Sequence, residues 1–567
     1  MKSQLNRWFF RASLWVAAIG FCSEAVTVHA EPSDAMKPLA VVTLSGYDEL
    51  LKDVNFVGSL AGQPQAAQQL EMMLQMFTQN KGLAGLGKNR PLGLFVVSDG
   101  ADFQGAICVP VTDTDALLEV LEPFGVMAED QGNGTKILSV GNTNLYLKTQ
   151  GEWAYLSPLP QSLENLPDDP STYFAPLAEH YDIGIRIFVS NVPEHLQQMA
   201  VMQLSNSIES GLKQLPDEND QEYAIRKGVT QAQMEQLTRM IQEIDQLSLG
   251  IQLDGDEQRA LMDVIFTAVE GTTLAKHIHE YSNAKTNYAG FFQSDAAMTM
   301  SFASKITPEE SAQFGQTFGA IRKQVMQAIE NEEDLPDDKS REIIQGAVGD
   351  FLDALKSTVE AGMSDGGAVL NIAPDSLTLV AGGFVSEPDK VESGMKKLAE
   401  MAKQKPKFPG VQWNADNHAG IQFHTISGPI PEGEKELRQL VGETLDMVVG
   451  IGEQSVYFAL GKNCLDALKQ VIDTSHANPD KSIAPVEMTI SLSQIMKVAT
   501  AFAKEKDKGQ LEMISSMLEG ESSGRDHVRL VLQPVDGGLR YRLEAEEGVL
   551  RAIGMAAMAA QSQGQGL

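Results

Sequence analysis

Residues 182–200, DIGIRIFVSNVPEHLQQMA, and residues 485–503, PVEMTISLSQIMKVATAFA, stand 303 positions apart and read alike. Ile183, Ile185, Ile187 and Val189 fall on Val486, Met488, Ile490 and Leu492. That alternation puts every second side chain on one face of a strand. Ser190 falls on Ser493, where each strand hands over to a helix. Upstream, the same offset lays Trp153-AYLS on Val456-YFAL, with Tyr155 on Phe458. A short helix is expected after each of those strands, from QSLENL and NCLDALKQVI.

More pairs appear at shifted offsets, as changes in loop length would produce. LGLFVVSDGADFQGAICVPVTDTDALLEVL matches AVLNIAPDSLTLVAGGFVSEPDKVESGMKKL as strand, Asp-containing turn, strand, helix. LSLGIQLDGDEQRALMDVIFTAVEGTTLAKHI matches VRLVLQPVDGGLRYRLEAEEGVLRAIGM, and LAVVTLSG (39–46) matches AAMTMSFA (296–303). Matched elements in one order point to an internal repeat. The expected organisation is a signal peptide over 1–30, a first α+β repeat over 31–286, a second over 287–560 and a flexible tail over 561–567.

Turns at Asp99-Gly100, Asp254-Gly255 and Asp536-Gly537 favour antiparallel hairpins. Helices fall between hairpins, so the expected class is α+β, a mainly antiparallel sheet with helices covering one face. Long helical-hairpin excursions are expected over 193–246, broken at Gln214-LPDEND, and over Pro308–Glu330 with Ser340–Ala361, broken at Asn331-EEDLPDD. Met199, Met202, Leu212, Met234, Leu237, Ile241 and Ile244 recur near helical spacing, which predicts a buried face. Segments free to vary over a fixed sheet are where a binding function is expected.

Met1–Ala30 reads as a secretory signal peptide. Lys2, Arg7 and Arg11 precede the apolar run Ala12–Phe21, and Val28-His29-Ala30 places small residues for cleavage before Glu31. A lipid anchor on Cys22 is the rival reading, but Phe21 stands where that signal needs a small residue. LAVVTLSGYDELLKDVNFVGSLAGQPQAAQQLEMMLQMF, KGLAGLGKNRPLGLFVVSDG and PDENDQEYAIRKGVTQAQMEQLTRMIQEIDQLSLG resemble uncharacterised secreted signal-peptide proteins of the kind abundant in planctomycetes. The resemblance implies export and a large α+β architecture, and it carries over no catalytic residue.

The chain has 567 residues, 43% of them hydrophobic, with 44 Lys+Arg against 76 Asp+Glu and a net charge of −32. That charge excludes a general nucleic-acid binder, since neutralising phosphates takes clustered cations. Mean hydropathy of −0.15 excludes a polytopic membrane protein, so no transmembrane segment is expected after signal cleavage. Cys108 and Cys464 remain after cleavage. They form one disulfide in an oxidising compartment or serve as two small buried hydrophobes.

Several motifs imitate chemistry. Gly82-LAGL-Gly87-Lys88-Asn89 nearly spells a phosphate-binding loop, but Asn89 stands where Ser or Thr should hold Mg²⁺. Its context is helix-then-strand, the reverse of what that loop needs. Gly362-Met363-Ser364-Asp365-Gly366 matches a nucleophile elbow, again after a helix and before a strand. His277 and His279, with Glu280, sit about 200° apart around a helix and cannot chelate together. His180, His195, His418, His424, His476 and His527 show no ligand spacing. The acidic loops Pro216-DEND and Pro336-DDKS lack the glycine and terminal glutamate of an EF-hand. Met72, Met73 and Met76, on one helix, are expected in the core.

No catalytic, cofactor-binding or metal-binding residue is therefore expected, and no cofactor. The reading that fits is an exported, periplasmic or extracellular scaffold that binds a protein partner or an apolar small molecule and is not an enzyme. The alternatives are a secreted hydrolase whose site forms only in three dimensions, and a structural envelope component. N-terminal sequencing of the exported protein should begin at Glu31; a lipid-modified Cys22 or an intact Met1 overturns this assignment.

Overall fold

The structure, a computed structural model, describes residues 36–564 apart from 142, 215–219, 333–336, 374–375, 404–407, 432, 504 and 521–523. The expected signal peptide, with Cys22, lies outside those residues, as do most of Pro216-DEND and the end of the tail. By its contacts the chain divides into two compact units, one of residues up to Lys52 with Ala66–Ala200, the other of Asp53–Gln65 with Val201–Leu567.

In the first unit, alternating sequence becomes eight antiparallel strands. They are β1 (Lys37–Leu44), β2 (Leu92–Ser98), β3 (Phe103–Pro110), β4 (Val126–Asp130), β5 (Thr135–Val140), β6 (Thr143–Gln150), β7 (Trp153–Ser157) and β8 (Ile183–Phe188). Their lateral order is β8-β1-β2-β3-β7-β6-β5-β4. The β2–β3 turn forms where expected: Gly100 takes φ +100°, and the Asp99 carboxylate accepts the amides of Ala101 and Asp102. Helices α1 (Tyr47–Leu60) and α2 (Ala66–Phe77) follow β1, α3 (Thr114–Leu121) follows β3, and α4 (Ser171–Ala178) precedes β8.

On one sheet face Val41, Phe95, Cys108 and Tyr155 pack under Phe174 and Leu177 of α4. Gly93 makes this possible, because a Cβ there would stand 2.4 Å from the Phe174 ring. On the opposite face α3, capped by the Asp113 side chain on the Ala116 amide, buries Leu118 against Val111, Leu138, Leu147 and Ala154. Helices thus cover both faces rather than one. The strands are apolar on both sides where they meet them, so one layer could not bury them.

α5 (Glu194–Gly211) leads to α6 (Asp220–Glu243). The second unit then builds β9 (Ile244–Asp254), β10 (Arg259–Ala268), α7 (Thr273–Tyr281), the short β11 (Lys285–Thr286), β12 (Met298–Lys305), α8 (Pro308–Glu330) and α9 (Asp338–Glu360). Next come β13 (Met363–Ala373), β14 (Ser376–Phe384), α10 (Pro388–Ala402), β15 (Gln412–His418), β16 (Ile421–Pro429), α11 (Lys435–Val441), β17 (Thr444–Ile451) and β18 (Ser455–Gly461). The chain ends with α12 (Cys464–Ala477), the short β19 (Lys481–Ser482), β20 (Val486–Ser491), α13 (Leu492–Phe502), α14 (Glu505–Glu519), β21 (His527–Val535), β22 (Gly538–Glu546) and α15 (Glu547–Gly564).

The main sheet of this unit is antiparallel in the order β9-β10-β22-β21-β20-β12-β13-β14-β18-β17-β16-β15. From β20 to β15 it repeats, position by position, the strand order of the first unit. Leu468, Val471 and Ile472 of α12 bury Val369, Val380, Phe423, Val448 and Ala459 on one face.

α8 starts on a capping box between Thr307 and Glu310, and α9 on Asp337, whose carboxylate accepts the Ser340 amide at 2.7 Å. Asp337 of that acidic stretch therefore works as a helix cap. Helix pairs occur at more places than the sequence indicated: α1/α2 and α5/α6 in the first half, α8/α9 and α13/α14 in the second. No helix among the described residues is long and apolar enough to cross a membrane.

β10 and β22, each half of its own hairpin, pair edge to edge, with Asp263 opposite Arg542. Asp263 is 0% exposed, and both its carboxylate oxygens accept from Arg542, from Nε at 2.8 Å and Nη2 at 2.7 Å. Arg259 reaches Glu544 across the same joint at 2.8 Å. Removing one partner of a buried pair leaves the other uncompensated. Asp263→Ala should therefore lower unfolding free energy in urea by about 2–4 kcal/mol; a loss below about 0.5 kcal/mol, the range of surface substitutions, would show that the pair is dispensable.

Candidate binding face

The register of the second unit sets apolar side chains side by side. Ile251, Met262, Leu543, Leu530, Met488 and Met300 form one rung across β9, β10, β22, β21, β20 and β12. Leu249, Val264, Tyr541, Leu532, Val486 and Phe302 form the next. On the other side of the first rung stand Leu253, Ala260, Ala545, Val528, Ile490 and Met298. One end of this apolar field is roofed: Ile278 of α7 packs on Leu532 and Leu539, with Phe266 and Val486 beside them. The middle is open, with Met262 40%, Tyr541 43% and Leu543 36% exposed.

The reverse side of the same strands mixes charged residues with the buried Leu261 and Val531. Asp263, Arg540, Arg542, Glu544, Arg529 and Glu487 alternate with the apolar residues, and Arg529 pairs with Glu487 at 2.9 Å. Contiguous exposed apolar surface of this kind marks interaction sites.

Helices add more apolar surface. Met72, Met73 and Met76 of α2 are 55%, 47% and 68% exposed, with Phe77 beside them. This overturns the expectation that they fill the core: α2 buries only Ala67. Of the face expected to be buried there, Met199 and Met202 of α5 and Leu237 of α6 are exposed, while Leu212, Met234, Ile241 and Ile244 are half-buried. Methionine is unbranched and polarisable, suited to surfaces that adapt to what they touch.

The polar clefts are occupied by their own charges. A pocket of about 410 Å³ in the first unit is lined by Arg90, Glu152, Trp153, Asp168, Asp169 and Ser171. Arg90 pairs with Glu152 and lies 6.0 Å from the Trp153 ring, while Asp168 accepts from Gln150 at 2.7 Å. Hydrogen bonds from Ser171 hold the Asp169 carboxyl below its usual range. A second cleft, of about 460 Å³, holds His277, His279, Glu280 and Thr307. His277 Nε2 lies 3.2 Å from the Thr307 hydroxyl, and Glu280 is 3.6 Å from Lys305. No cluster of His, Cys, Asp and Glu among the described residues could hold a metal ion.

The imitated motifs sit in ordinary structure. Ser364 lies within β13, opposite Ser304, after α9 and the left-handed turn at Gly362. Lys88 stacks over the Tyr47 ring at 5.3 Å. A Cβ at Gly85 would stand 2.1 Å from the Asp113 carbonyl, so the glycine there answers to packing. Cys108 and Cys464 are free and buried, and burial pushes the Cys464 thiol up to about 11. Comparison with protein-family models, curated proteins and solved structures finds no match for the chain.

Sequence reading missed the open face. Its signal was present, since HVRLVLQPV and GLRYRLEAE alternate apolar with charged residues, but alternation does not say which side meets water. Changing Met72, Met73 and Met76 together to Ser should leave the midpoint of urea unfolding within the scatter of surface variants, about 0.5 kcal/mol per site. A loss of about 2 kcal/mol or more per site, as core truncation gives, would place them back in the core.

Proposed function

We propose that this chain is an exported, non-enzymatic scaffold, periplasmic or extracellular, made of two tandem copies of one α+β unit, and that it binds an apolar ligand on the face of β9, β10, β22, β21, β20 and β12. The recurring strand order supports the duplication: β8-β1-β2-β3-β7-β6-β5-β4 in the first unit, β20-β12-β13-β14-β18-β17-β16-β15 in the second. The observation that carries the binding reading is the open centre of the apolar rungs at Met262, Tyr541 and Leu543, backed by ion pairs. Burying apolar surface stabilises a complex by about 25 cal/mol per Å², and no directed polar chemistry is needed. The methionines of α2 favour a second reading, a protein partner docked on that helix.

Native mass spectrometry of the purified protein should detect a co-purifying apolar small molecule, or uptake of a fluorescent apolar probe added to it. Met262→Lys and Leu543→Lys should each weaken probe binding about tenfold or more, since a cation on the floor opposes apolar contact. Both positions are exposed, so stability should move by about 0.5 kcal/mol. Unchanged probe binding in both variants refutes the site, and weakening only in the α2 methionine variant transfers the function to that helix.

A further inference from the structure

At the far end of the first apolar rung stands a histidine. The rung continues from Met300 through Ala368, Ala381, Phe458 and Val449 to His424 on β16. His424 is 1% exposed. Opposite it β15 bulges: Gln412 pairs with Thr425 and Asp416 with Phe423, so Trp413, Asn414 and Ala415 face the single residue His424. Asn414 takes φ +52°, and its amide donates to His424 Nδ1 at 3.1 Å.

That bond fixes the tautomer. A backbone N–H can only donate, so Nδ1 is unprotonated and the ring proton is on Nε2. Nε2 makes no hydrogen bond and lies 3.4 Å from Glu392 Oε1 of α10. Glu392 is shared with Lys396 at 2.7 Å, and Lys396 stacks over Trp413 at 5.7 Å. The Trp413 ring meets His424 edge-on at 5.0 Å. Glu392 and Lys396 are the charges acting on the imidazole among the described residues, and the neighbouring strands present Trp413, Asn414 and Val449.

We propose that His424 is an acid-released latch that holds strand β15 on the sheet edge. β15 pairs with β16 alone among the described strands, and beside the bulge contacts it is held to α12 by Asp416 on Lys469 and by His418 on Asp473 at 2.6 Å, pairs that stay in place in His424→Asn. A second proton taken from solvent must go to Nδ1, where the Asn414 N–H already points. The imidazolium then has no acceptor for that proton until Asn414 turns away. The new charge gains Glu392 but is opposed by burial and by Lys396. Loosening β15 uncovers the edge of β16, whose free N–H and C=O groups can then take up another strand.

Burial holds the His424 pKa below its ordinary 6.5, with Glu392 opposing and Lys396 adding to the fall. The released strand therefore binds the proton more readily than the docked one. Docking is fully favoured above the ordinary value and weakens as pH falls below it.

Hydrogen exchange of peptides covering 411–418, corrected for intrinsic rates, tests this in the purified protein between pH 7.5 and 5.0. Protection should fall about tenfold or more in the wild type. It should change less than about twofold in His424→Asn, whose amide oxygen can accept the Asn414 N–H without titrating. Glu392→Gln should deepen the fall in protection between pH 7.5 and 5.0, because the docked imidazolium loses its carboxylate while the released one does not. An equal fall in wild type and His424→Asn, or no fall in the wild type, overturns the latch. If His424→Asn does not fold, a fall in Glu392→Gln no larger than in the wild type overturns it.

Discussion

A carboxylate with no access to water must have a partner, and Asp263 has Arg542. β10 and β22 each close a hairpin, and each hairpin alone would leave an edge of unpaired backbone groups. Joined, they bury both edges in one antiparallel ladder. The ion pair also fixes the register. A slip of one residue would turn Asp263 onto the apolar side and Met262 among the arginines.

From that register the open face follows. Once Asp263 and Arg542 point one way, Met262, Val264, Tyr541 and Leu543 must point the other. The rungs extend by backbone pairing through β21, β20 and β12, and α7 roofs one end of them. Exposed Met, Tyr and Leu in the middle of a sheet weaken the case for an inert surface and strengthen that for a ligand. The charged clefts point the other way, since Arg90, Glu152, Asp168 and Asp169 already have partners.

The same ladder ends in His424, where β15 stops matching β16 residue for residue. A bulge lets a strand carry an extra polar contact without disturbing the strands beyond it. Here it brings the Asn414 amide to an imidazole that has little room for a second proton. The open apolar centre and the buried histidine thus lie on one continuous rung.

By itself the sequence determined the α+β class, the hairpins at Asp99-Gly100, Asp254-Gly255 and Asp536-Gly537, and the helices expected at Pro308–Glu330 and Ser340–Ala361, the second found at Asp338–Glu360. These are local properties: turn chemistry, a capping box and side-chain periodicity act within a few residues. It also marked Ser364 and Lys88 as imitations, because strand and helix order is legible locally. Only the tertiary structure decided which side of an alternating strand meets water, that Met72, Met73 and Met76 are open, and that helices cover both sheet faces. It alone brought Asp263 to Arg542, 279 residues away, and His424 to Glu392. Periodicity gives a strand two faces, but only the packing of distant elements chooses which one stays dry.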